Sequence, residues 1–97
     1  MEKQSECEAV LTDNINYNGT VLESTIAMEE LAELIQAISK VKRYGCIGKY
    51  KDNLIEEIAD AQIVIAEVMM MFGVTDDDVK GIMSAKIRRL VERMSAK

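Results

Sequence analysis

Ninety-seven residues with a net charge of −5, 48% of them hydrophobic and 30% charged, suit one small folded domain with a single core. The acidic balance disfavours a nucleic acid polymer as partner, because sequence-independent binding to phosphates rests on an excess of Lys and Arg. Histidine is absent, which removes Ser-His-Asp and Cys-His catalysis, His-built zinc sites and the Glu-x-x-His arms of di-iron bundles, and leaves hard cations with oxygen ligands open.

A chain with no Pro, five Gly and only three Tyr and one Phe favours helices over a turn-rich β architecture. The two cysteines, Cys7 and Cys46, form no CxxC, and there is no secretory-type start, so the expectation is a reduced, cytoplasmic protein. No apolar run approaches the roughly 20 residues that a membrane span needs.

Four helices are expected in one domain over residues 1–97, with an N-terminal segment at 1–19 and core helices over 20–95. The first runs from about Lys3 to Ile15, and NYNG at 16–19 reads as a turn. The second runs from about Thr20 to Tyr44, where Leu22, Ile26, Leu31, Leu34, Ile35, Ile38 and Val41 fit the 3.6-residue period and Gly45 marks the stop. CIGKYKD reads as a short basic connection into a third helix from about Asp52 to Phe72, ended by Gly73. Thr75 suits the N-cap of a fourth helix ending near Ser95, with Asp76, Asp77 and Asp78 complementing its positive end.

The third helix is apolar nearly all round, with Ile55, Ala59, Ile63, Ala66 and Met70 on one side and Val64, Val68 and Met71 on another. Such a helix must be enclosed, and a 97-residue bundle has little material for that, so a second copy is expected to cover part of it. The alternative is that the N-terminal segment covers it within a monomer. The MMM run at 69–71 reads as adaptable core filling.

Two acidic motifs carry the chemistry: Glu30-x-x-Glu33 and Glu57-x-x-Asp60. At about 100° per residue, side chains three apart point to nearly the same side of a helix. Glu30 and Glu33 share their side with Ile26, Leu34 and Ala37, while Glu29, Gln36, Ser39 and Lys40 are expected on the opposite, wetter side. Glu57 and Asp60 align with Ala61, Val64, Val68 and Met71, while Glu56 and Glu67 are expected to point elsewhere. Antiparallel packing of the second and third helices would bring the two pairs face to face. Four converging carboxylates repel one another unless a divalent cation offsets their charge, and an oxygen-only set points to Mg²⁺, with Mn²⁺ as a substitute. The alternative is a set of solvated acids partnered with lysines. Basic residues that could meet phosphates fall in two places, Lys42 and Arg43 with their neighbours at the end of the second helix, and Lys86, Arg89 and Arg93 on the fourth. Helix-end charge complementation and a snorkelling basic fringe are the alternatives for these.

Glu30-x-x-Glu33, a gap of 23 residues, and Glu57-x-x-Asp60 within EEIAD resemble the signature of the MazG-like all-α nucleoside triphosphate pyrophosphohydrolases. EELAELIQAISKVKR and NLIEEIADAQIVI match in texture, and the likeness covers about residues 20–95. The resemblance implies an all-α, four-helix-type bundle completed by homodimerisation, with dimers sometimes pairing again. It implies Mg²⁺-dependent cleavage between the α and β phosphates of a nucleoside triphosphate, giving a monophosphate and pyrophosphate. Glu30, Glu33, Glu57 and Asp60 match the metal-ligand positions, Glu33 and Glu57 are the candidates for a catalytic role, and Lys86 and Arg89 resemble phosphate-facing residues. The other class of reading is a catalytically silent helical dimer that binds nucleotide or protein.

Overall fold

The computed structural model describes residues 4–96, and the side chains of 6–96. Its elements are α1 (Gln4–Asn18), α2 (Thr20–Tyr44), α3 (Gly48–Phe72) and α4 (Asp76–Ser95), with no strand among the described residues. The protein is all-α.

The NYNG turn is shorter than its sequence suggests. α1 continues through Asn16, Tyr17 and Asn18, and the break is confined to Gly19, whose φ of +84° is open to glycine and strained for other residues. α2 ends at Tyr44 as its periodicity indicates, with the Gly45 N–H donating to the Val41 carbonyl at 2.8 Å. α3 starts at Gly48, four residues before Asp52, so most of the basic connection is helix. Lys49 and Lys51 in a first turn oppose the helix dipole and mask the start. The Tyr44 and Tyr50 rings stack across the joint at 4.8 Å, with Arg43 over one ring and Lys49 over the other, and this clamp holds the early turn in place.

At the far end of α3, Gly73 takes the left-handed conformation (φ 67°, ψ 31°), and the Val74 N–H reaches back to the Met69 carbonyl at 3.0 Å. Thr75 then caps α4 in a reciprocal box. The Asp78 N–H donates to Thr75 Oγ1 at 3.1 Å and the Thr75 N–H to Asp78 Oδ2 at 3.0 Å, and these bonds hold the Asp78 carboxyl below its ordinary range. The DDD run is thus helix-starting charge.

α2 and α3 pack antiparallel as a long hairpin, and α1 lies against both. Among the described residues the buried apolar side chains are small: Ala27, Ala37, Ala61 and Val64. Met69 and Met70 pack towards α1, where they line a groove with Leu11 and Thr12. Among the described residues α4 packs against none of the other helices, and the chain axis turns by 117° between α3 and α4.

A good deal of apolar surface stays open, including Ile35, Ile38, Ile55, Ile63 and Ile65 on the hairpin and Ile82, Met83, Ile87, Leu90 and Met94 on α4. The accessible surface is 7669 Å², against about 5,600 Å² expected of a compact monomer of this mass. The radius of gyration is 16.5 Å, where a compact domain of this length gives about 13 Å. α1 therefore covers α3 only in part. No single helix among the described residues is long and apolar enough to cross a membrane.

Candidate metal centre

The antiparallel register of α2 and α3 sets Glu30 beside Asp60 and Glu33 beside Glu57, so each acidic pair faces the other across the seam. One carboxylate oxygen from each of Glu30, Glu33 and Glu57 lies within 4.8 Å of the other two. Asp60 stands at the edge of this trio, close enough to act on both Glu30 and Glu57.

Placement decides the electrostatics. Glu30 and Glu57 are half-buried, and the Oε2 atom of each is shielded from solvent with no hydrogen-bond partner. Glu33 is exposed. The Glu30 carboxyl is pushed above its ordinary range, first by desolvation and then by the charges of Glu33, Asp60 and Glu57. Glu57 is raised likewise, by desolvation first and then by Glu33. No cation contributes to either shift.

Mg²⁺ holds its ligands at about 2.1 Å, so two oxygens on one ion are at most roughly 4.2 Å apart. The oxygens of Glu30, Glu33 and Glu57 all lie within 4.8 Å of one another, a spacing that small side-chain movements bring onto one ion. The donor set fits a hard cation because it is all oxygen and includes two orphaned, desolvated atoms.

The surroundings differ from the sequence reading at three points. Gln36 and Lys40 do not lie opposite the acids: with Asn53 they line a cavity of about 290 Å³ shared with Glu33 and Glu57. Steps of three and four residues from Glu33 keep Gln36 and Lys40 on its side of the helix. Glu67 does not point away either. It is buried at 3% exposure, as is Glu23 on α2. Asn14 of α1 donates to Glu67 Oε2 at 2.9 Å and Asn18 donates to Glu23 Oε1, and these four residues line a cavity of about 300 Å³ with Glu30 and Asp60. Glu23 lies seven residues before Glu30 and Glu67 seven after Asp60, a same-face spacing that could have revealed both.

The four proposed phosphate-binding cations are not gathered at the acids in one chain. Lys42 and Arg43 are exposed at the end of α2, about 14 Å along the axis from Glu33, and Arg43 is engaged over Tyr44. Lys86 and Arg89 sit on α4 beside Leu90 and Arg93, with no other helix of the chain against them.

The chain matches no family model, no curated protein and no solved structure. A functional reading therefore rests on the acidic motifs and their geometry.

Proposed function

We propose that this chain is a divalent-cation-dependent nucleoside triphosphate pyrophosphohydrolase of the MazG-like kind, working as a homodimer. The observation that carries the reading is the convergence of Glu30, Glu33 and Glu57 from two antiparallel helices, with two desolvated oxygens left unpartnered. A solvated helix-face acid has no reason to be held in that way, whereas a cation ligand does.

In this reading Glu30, Glu33, Glu57 and Asp60 hold Mg²⁺ or Mn²⁺, and the cation, when bound, offsets phosphate charge and acidifies the attacking water. The chain's own groups position the rest. Glu33, the exposed member, accepts the proton of the water that attacks the α phosphorus, while the bond from that phosphorus to the bridging oxygen breaks and pyrophosphate leaves. Glu57, half-buried opposite it, offers its shielded, unpartnered oxygen to the cation. Lys40 is the α2 cation placed to meet phosphate, in preference to Lys42 and Arg43, because it borders the same cavity as Glu33 and Glu57. The excess surface of about 2,000 Å² per chain exceeds the roughly 800 Å² that each partner buries in a standard interface, which supports the homodimer.

The test is pyrophosphate release from a panel of nucleoside triphosphates in Mg²⁺, Mn²⁺ or EDTA, with Glu57→Gln beside the wild type. Release that needs the metal and is lost in the variant is the expected result. No release from any nucleotide would overturn the hydrolase reading and favour a silent binding dimer.

A further inference from the structure

We infer that the tip of the α2–α3 hairpin is a docking site for an anionic lipid surface, with Ile47 entering the bilayer interface and Lys42, Arg43, Lys49 and Lys51 meeting headgroup phosphates. The inference is independent of the proposed hydrolysis.

The first support is how charge is distributed along the chain. Residues 34–51 hold five cations and no acid, whereas the rest of the chain holds seven cations against seventeen acids. The hairpin gathers that basic stretch at its closed end, in a molecule 49 Å long in its greatest dimension. Glu57 lies about 12 Å along α3 from Lys49, beyond the roughly 8 Å over which charge is felt at physiological salt, so the basic tip acts apart from the acidic centre. A chain of this polarity turns its tip towards a negative surface and its acidic end away.

The second support is that the fold itself makes little use of these cations. Lys42 and Arg43 complement the negative end of α2, but Lys49 and Lys51 stand in the first turn of α3, where the helix dipole favours acids and none is present. All four are exposed.

The third support is the order in which groups are met from the apex inward. Gly45 and Gly48, both at positive φ, turn the chain around Cys46 and Ile47, and Ile47 is 68% exposed. The Tyr44–Tyr50 stack follows, with Tyr44 itself exposed, and the cations stand within a turn of it. Apolar tip, tyrosine girdle and basic collar match, in that order, the hydrocarbon, the interface and the phosphates of an anionic bilayer. An apolar residue or a basic patch alone holds a protein weakly, and together they supply the two signals that a lasting contact needs. A single-stranded nucleic acid fits less well, because it binds through open aromatic faces. Here each ring is stacked on the other and carries a cation, Arg43 or Lys49, over it.

The experiment is flotation of the full chain with vesicles of equal parts phosphatidylserine and phosphatidylcholine, and with vesicles of phosphatidylcholine alone, at about 0.15 M NaCl. EDTA is present throughout, so that no divalent cation bridges the acids to the lipid. Binding to the anionic vesicles only is expected. Lys49→Ala/Lys51→Ala should weaken it about thirtyfold, roughly fivefold for each cation, and Ile47→Ser should weaken it without changing its dependence on NaCl. Wild-type affinity in both variants, or no binding to anionic vesicles, overturns the inference. A second readout locates the contact without altering the charge of the tip. A polarity-sensitive dye is placed on Cys46 in a Cys7→Ser chain, and on Cys7, near the other end of α3, in a Cys46→Ser chain. A blue shift on Cys46 alone supports docking by the tip, and a shift on Cys7, or on neither, overturns it. Retention on single-stranded RNA or on polyglutamate, with no vesicle binding, overturns it in favour of a nucleic acid or an acidic protein.

Discussion

Replacing Glu30 with Gln should change the stability of the protein with a sign that depends on magnesium. In metal-free protein Glu30 stands within 4.8 Å of both Glu33 and Glu57, counted between carboxylate oxygens. Two unit charges at that separation repel by about 0.9 kcal/mol in a water-like dielectric and by roughly 3.5 kcal/mol at an effective value of 20. Because Glu33 is exposed, the lower figure is the better guide. Removing the charge relieves the repulsion from both and should stabilise the metal-free protein by about 1–2 kcal/mol, each kcal/mol raising the melting temperature by roughly 4–8 °C for a domain of this size. With Mg²⁺ at 100 times its dissociation constant, the wild type gains about 2.7 kcal/mol by mass action, and the variant, short of a ligand, loses most of that gain. The order should therefore reverse, leaving the wild type the more stable. The assay is thermal unfolding of both proteins at one fixed concentration, in EDTA and in Mg²⁺, with NaCl matched for ionic strength. Equal shifts in Mg²⁺ and in NaCl, with no reversal, would refute the argument that these acids form a cation site.

The raised carboxyls of Glu30 and Glu57 make a pH prediction for metal-free protein. The folded state holds protons that the unfolded state has released, so urea stability should rise as pH is lowered from 7 towards the ordinary value near 4.5 and be lost again as pH rises through the elevated values. A flat or opposite slope between pH 5 and 7 would contradict it. Asp78 works in the other direction, since its lowered carboxyl supports the α4 cap above its ordinary 3.8 and ceases to do so in stronger acid. Asp60→Asn should abolish pyrophosphate release while leaving helical circular dichroism unchanged; undiminished turnover would remove Asp60 from the ligand set. Ile63→Asp should lower the sedimentation coefficient to that of a monomer, and an unchanged value would place the interface elsewhere. Ala37→Leu, at a site 1% exposed, should cost about 1–3 kcal/mol in urea unfolding through overpacking of the α2–α3 seam.

The sequence was most informative where periodicity and punctuation agreed. α2 ends at Tyr44 as read, because a seven-position apolar pattern runs into Gly45, and Thr75 caps α4 because a hydroxyl followed three residues on by Asp78 can bond reciprocally. The start of α3 was hidden because the tyrosine stack that holds it joins residues on two helices, which no local window reveals. The convergence of Glu30, Glu33 and Glu57 was legible from spacing, since three-residue steps on two helices leave few other ways to face, and Asp60 falls at the edge of that trio. Its neighbours were not. Glu67 reads as a surface acid until Asn14 arrives from another helix to bond it, and Lys40 reads as remote until the hairpin closes around Glu33 and Glu57. The placement of Lys86 and Arg89 depends on the direction in which α4 leaves α3, a tertiary angle that residue pattern does not encode.

The seam between α2 and α3 holds the buried Ala27, Ala37 and Ala61, with Val64 the largest buried apolar side chain among the described residues. Helix axes approach as closely as the side chains between them permit, over a range of about 8–10 Å. These methyl groups therefore work as a gauge. They fix the gap across which Glu30 and Asp60, and Glu33 and Glu57, face each other, and with it, in the function proposed above, the radius of an ion that both walls could grip at once. Mg²⁺ asks for oxygens at about 2.0–2.1 Å and Ca²⁺ for 2.3–2.6 Å, a difference smaller than a methyl group. On that proposal, discrimination between ions is written into residues that never touch one, and a single added methylene in the seam is expected to retune it without altering any carboxylate.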